Sequence, residues 1–261
     1  MSRLADTFAA LRAGHRPGLV TYVTAGDPDL TRTEGILQAL DRAGADVVEI
    51  GVPFSDPLAD GPVIQRATER ALASGTTLVG VLDLVARLRP QLRMPVVIFS
   101  YANPILRIGA ERFADLASAA GVDGVLVLDL PLEEAGDFRA MLDARRIDTI
   151  LLLSPTTSDD RLRQAAALGS GFLYAISRLG VTGVRDDLAE GAEEMVRRIR
   201  AVSDLPLALG FGISKPEHVR RVAQWADAAV VGSALVNVIA EAGQSGDLTT
   251  RVEEYVRWLK S

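Results

Sequence analysis

Eight short runs rich in Val, Ile and Leu recur along the 261 residues, each followed by a segment with helical spacing. They are Leu19 to Thr24, Val47 to Gly51, Val96 to Ser100, Gly124 to Leu128, Thr149 to Leu153, Phe172 to Ile176, Leu207 to Gly210 and Ala228 to Val231. The runs show little polar alternation, as parallel strands do when both faces are covered. Between them, segments such as Thr31 to Ala43 and Ala110 to Ala120 gather apolar residues on one helical face. Several such segments end in a glycine or acidic turn before the next strand: Gly44-Ala45-Asp46, Gly121-Val122-Asp123 and Trp225-Ala226-Asp227. A doubly wound sheet also satisfies this alternation. Eight regular units without a dinucleotide fingerprint favour the closed alternative, an α/β chain forming a single (β/α)8 TIM barrel over residues 1–261. Ser2 to Ala13, with Leu4, Phe8 and Leu11 at helical spacing, predicts an extra N-terminal helix and not a signal peptide.

Charge and composition narrow the function. A net charge of −6 without a basic stripe argues against nucleic acid or an anionic membrane as partner. The absence of cysteine excludes disulfides, thiolate nucleophiles and zinc-thiolate sites. His15 and His218, the only histidines, belong to no metal-ligand pattern, and both are predicted on the surface. No apolar run reaches the roughly 18 residues that span a bilayer, so the cytoplasm is the expected compartment.

In such a barrel the strand C-termini form the active face. Glu49 lies at the end of the second run, among Val47, Val48, Ile50 and Val52. It is either paired with a nearby Arg or Lys, or desolvated and able to exchange a proton near neutral pH. The following loop carries Asp56 and Asp60. Asp60, before Gly61-Pro62, fits a helix N-cap, but its company with two other carboxylates on one connection also fits acid-base chemistry. Gly210-Phe211-Gly212-Ile213-Ser214 and Gly232-Ser233-Ala234 follow the seventh and eighth runs, where glycines and helix starts can cradle a phosphate. After the sixth run, Arg178, Thr182 and Gly183 suit either a mobile lid over that phosphate or an ordinary solvated loop. Tyr22, Phe99, Leu126, Leu128, Leu152, Tyr174 and Phe211 either fill the barrel or wall a pocket for a flat aromatic substrate with a phosphorylated tail.

Together, the "PFSDPLADGP" stretch after Glu49, Val20 to Pro28, Ile176 to Gly183, "GFGIS" and "VGSA" resemble the tryptophan synthase α chain over nearly the whole length. The resemblance implies a lyase that cleaves indole-3-glycerol phosphate to indole and glyceraldehyde 3-phosphate. It gives Glu49 the part of general acid/base, Asp60 that of the carboxylate facing the indole N–H, and Tyr174 a place near the reacting end. Desolvated Glu49 and solvated Asp60 are then expected on opposite sides of one bicyclic ring. Gly183, Gly212, Ile213, Gly232 and Ser233 match phosphate-binding positions, while Asp56, Arg178 and Thr182 match loop closure. The indole pocket falls to Tyr22, Phe99, Leu126, Leu128, Leu152 and Phe211. The likeness also implies no cofactor in this chain, and a pyridoxal-phosphate β chain as partner in an α2β2 heterotetramer, meeting it near Asp56 and Tyr101 to Pro104. Two rival readings are a standalone lyase releasing free indole and a non-catalytic subunit that binds a sugar phosphate.

Overall fold

The computed structural model describes residues 2–176, 191–210, 212–243 and 245–261. Its strands are β1 (Gly18–Thr24), β2 (Val47–Gly51), β3 (Val96–Ser100), β4 (Gly124–Val127), β5 (Asp148–Leu153), β6 (Leu173–Ile176), β7 (Leu207–Gly210) and β8 (Ala228–Val231). They pair in parallel and in sequence order, and β8 returns to β1 to close the barrel. Each end lies within one residue of the sequence expectation. The missing alternation has a plain cause. Val20, Val47, Val97, Leu126, Ile150 and Phe172 pack inside the barrel, while their neighbours Leu19, Val48, Ile98, Val125, Leu151 and Leu173 pack outward in the second core cluster, which also holds helix residues.

The N-terminal helix Arg3–Ala13 seals the floor. Ser2 caps it by accepting the Ala5 N–H at 3.2 Å. Leu4, Phe8 and Leu11 are buried with the inner strand residues, and the Phe8 and Phe172 rings lie 5.4 Å apart. Burying each of these side chains contributes about 1.5–3 kcal/mol. Three arginines fasten the helix region to the acidic turns: Arg3 to Asp123 at 3.5 Å, Arg12 to Asp227 at 2.8 Å and Arg16 to Asp46 at 2.8 Å.

The same turns complete the strands. Asp46 accepts the Leu19 N–H (2.9 Å), Asp123 the Val96 N–H (2.8 Å), Ser170 the Thr149 N–H (2.9 Å) and Asp227 the Leu207 N–H (2.7 Å). Each loop before an even-numbered strand thus pairs the first amides of the odd strand beside it, satisfying donors that closure would otherwise leave buried and open. Asp227 is also held by Arg200, and although burial opposes the charge, its arginine and amide partners keep its carboxyl below the usual carboxylate range. Asp227→Ala is therefore expected to destabilise the fold by about 2–4 kcal/mol, read by chemical denaturation. A loss below about 0.5 kcal/mol would show that the clamp contributes nothing to the floor.

The surface placement expected for His218 is corrected. It is buried, because it shares the inward face of helix Pro216–Val222 with Val219 and Val222, and its Nδ1 accepts the Ser214 N–H at 3.3 Å. His15 is exposed. Among the described residues, no single helix is long and apolar enough to cross a membrane.

Candidate active site

Glu49 is an inward position of β2, in register with Tyr22 of β1 and Val97 of β3. It is 1% exposed, and neither carboxyl oxygen has a hydrogen-bond partner among the described residues. The ion-pair alternative therefore has no support there. Burial pushes its pKa up to about 8, so the group is mainly neutral at pH 7. Two tyrosines flank it. Tyr22 overlies Gly51 and Tyr174 overlies Gly210, and a Cβ at either glycine would overlap the phenol hydroxyl. Burial first, with the Glu49 charge next for Tyr174 and a lesser contributor for Tyr22, raises both phenol pKa values, so both hydroxyls stay protonated.

Asp60 is not a helix cap. Helix Pro62–Ala73 has Gly61 at its N-cap with no side-chain cap bond, and Pro62 fixes the first turn. Nor is Asp60 solvated, as the sequence reading expected. It is 8% exposed, and burial pushes its pKa up to about 6 while the nearby Tyr101 hydroxyl works the other way. The cover comes from residues distant in sequence, Tyr101 after β3 and Tyr22 on β1. After burial, the Asp60 charge is the next contribution raising the Tyr22 phenol, and Glu49 also contributes, so that one phenol lies near both carboxyls. Asp27, at the end of β1, holds Arg70 of helix Pro62–Ala73 through two bonds of 2.7 and 2.8 Å, which ties the first loop to the helix that follows Asp60.

The apolar wall lies above the inner core. Phe99, Leu128 and Leu152 are partly exposed and packed against it, Phe99 meets Tyr22 edge-on at 5.2 Å, and Leu126 is fully buried. Across the mouth, Gly212 adopts φ +76°, a left-handed backbone that glycine adopts freely, and Ile213 is buried. Gly232 sits beside Tyr22 and leads into helix Ser233–Ala242, which has no side-chain cap. Among the described residues no side chain caps its first turn, where an anion is favoured. Asp56 is exposed and accepts the Ser55 hydroxyl at 2.6 Å. Arg178, Thr182, Gly183 and Phe211 lie outside the described residues. Sequence reasoning missed Gly51 as a cradle for Tyr22, the Asp27–Arg70 tie and the contact of Tyr101 with Asp60. The Tyr22↔Glu49 register that explains Gly51 appears only once the strands are paired.

A closed parallel barrel whose C-terminal mouth gathers two carboxyls of unlike proton affinity, an apolar wall and, among the described residues, a helix start without a side-chain cap is a (β/α)8-barrel enzyme. The sequence profile for "Tryptophan synthase alpha chain" matches residues 8–261. Tryptophan synthase alpha chains of Geobacter sp. strain M21 and Burkholderia thailandensis are 50% and 48% identical, covering 100% of this chain and 97% and 96% of theirs. Among solved structures, a chain of Mycobacterium tuberculosis tryptophan synthase matches with a TM-score of 0.92 at 37% identity, covering 99% of this chain and 97% of that one. The Legionella pneumophila subunit alpha matches at 0.89 and 38%, covering 100% and 97%. The chain belongs to the tryptophan synthase alpha chain family.

Proposed function

We propose that the chain, as a carbon-carbon lyase, cleaves indole-3-glycerol phosphate through Glu49 and Asp60, and that it does so as one barrel domain. The observation that carries the reading is a fully buried carboxyl at the active mouth of the barrel, without a hydrogen-bond partner among the described residues. Neutral Glu49 gives its proton to indole C3, and positive charge develops on the ring nitrogen. Ionised Asp60 faces that N–H and stabilises the charge. The Glu49 carboxylate then takes the proton of the glycerol hydroxyl next to the ring. The carbon-carbon bond breaks, its electrons return to the ring, and indole and an aldehyde leave with Glu49 neutral again. Tyr174 borders the reacting end. Gly212, Ile213, Gly232, Ser233 and Gly183 hold the phosphate, and Tyr22, Phe99, Leu126, Leu128, Leu152 and Phe211 hold the ring. Asp56, Arg178 and Thr182 join the loops when the site closes.

The chemistry assigned to this chain needs only proton transfer, so the reading gives it no cofactor, and pyridoxal phosphate belongs to a β chain. Exposed Leu58, in the loop after β2, and exposed Leu106, in helix Ala102–Ile108, support a partner at this mouth. Beside Leu58, Phe54, Pro57, Gln65 and Leu72 line a groove of about 400 Å³. We infer an α2β2 assembly in the cytoplasm. The test is ultraviolet detection of indole from purified chain and substrate, with and without a tryptophan synthase β chain. The reading predicts slow release alone and at least tenfold faster release with the partner. Equal rates would favour a standalone lyase, and no indole in either case would leave a non-catalytic sugar-phosphate binder.

A further inference from the structure

The loops after β3 and β4 brace, in series, the loop that carries Asp60. Tyr101, the first residue after β3, is 5% exposed, and its ring meets that of Phe54 at 5.4 Å, tilted by 39°. Its hydroxyl accepts the Ala59 N–H at 3.0 Å, so the phenol holds the backbone of the second loop one residue before Asp60, and its dipole near the Asp60 carboxyl favours the ionised form. The next residue is held in turn, since the Ala102 N–H donates to Asp129 Oδ1, in the loop after β4, at 2.6 Å. On the inner side, the Gln65 amide donates to the Asp60 carbonyl at 2.8 Å.

We propose that Tyr101 is a positioning residue for Asp60, holding the loop that carries it through the Ala59 amide, and that Asp129 steadies Tyr101 from the neighbouring loop through the Ala102 amide. The inference rests on the part given to Asp60 above. The phenol oxygen accepts the Ala59 amide, which leaves its proton available to the neighbouring carboxylate. A phenol that donates to a carboxylate favours the ionised form. It thereby offsets part of the burial that pushes Asp60 up to about 6. The titratable groups that face the pair are Tyr22 from β1, Glu49 from β2 through that same phenol, and Asp129 beside Tyr101.

The experiment compares wild type, Tyr101→Phe and Asp129→Ala, each with a β chain present, measuring kcat and KM for indole release across pH 5 to 9. Tyr101→Phe removes one oxygen and keeps the ring. It is expected to lower kcat about tenfold at pH 7 and to move the acidic limb to higher pH by about one unit, with KM changed less than about twofold. Asp129→Ala, acting one residue removed, is expected to move the limb in the same direction by less. A Tyr101→Phe profile that keeps the wild-type limb overturns the proposal, and so does a uniform loss at every pH, which marks a purely structural role. If Tyr101→Phe fails to fold, Asp129→Ala decides by the same limb. Wild type that releases no indole would instead sink the reaction assigned to the site and not this contact.

Discussion

Glu49→Gln is expected to reduce indole release about 10³-fold while leaving substrate binding within a few-fold of wild type. The amide matches the acid in size and can neither give nor take the proton that both halves of the cleavage require. Turnover within tenfold of wild type would remove Glu49 from the reaction. The same substitution carries a stability signature of opposite sign. The folded-state pKa of about 8 lies above the ordinary value of 4.5, so between those values the native chain holds a proton that the unfolded chain has released. Stability therefore falls as pH rises through this window, and the neutral amide escapes the penalty. The variant is expected to gain about 1 kcal/mol at pH 5 and on the order of 4 kcal/mol by pH 8, measured by urea unfolding across pH. A gain independent of pH would mean that Glu49 is ordinary in the folded chain.

Asp60→Asn is expected to lower kcat by about 10²-fold with a small change in KM, since the ring keeps its apolar wall and loses only the charge opposite its nitrogen. The pH profile supplies the second mark. Asp60 is raised to about 6, so wild-type activity is lost as pH falls through 6, when the carboxylate becomes neutral. The asparagine variant has no such group to titrate, and its profile is expected to flatten on the acidic side. An Asp60→Asn variant with kcat within threefold of wild type, or with the acidic limb intact, would assign that limb and the charge stabilisation to another residue.

How much of this was legible in the chain depends on whether the cause was local. The strands were readable because runs such as Val47-Val48 and Val96-Val97-Ile98 carry their own preference, and their ends agree within a residue. Gly44 and Gly121 announced helix ends and do adopt left-handed backbone there. The burial of Glu49 was readable from its apolar neighbours. Asp60 was half readable: its company pointed to chemistry, but its burial depends on Tyr101 and Tyr22, which arrive only when β1 and β3 flank β2. Asp46, Asp123 and Asp227 were visible as acidic turns, yet their acceptance of amides from the preceding strand exists only in the closed barrel. His218 was misjudged because a helix start beside Lys215 and Pro216 looks solvated in sequence, whereas the neighbouring core covers that face.

The central claim is that Glu49 stays protonated in the resting enzyme at neutral pH. Carboxyl ¹³C NMR of glutamate-labelled chain, with Glu49→Gln used to assign the signal, follows that proton directly. The account predicts a titration midpoint near 8. A midpoint at the ordinary glutamate value, about 4.5, would contradict it.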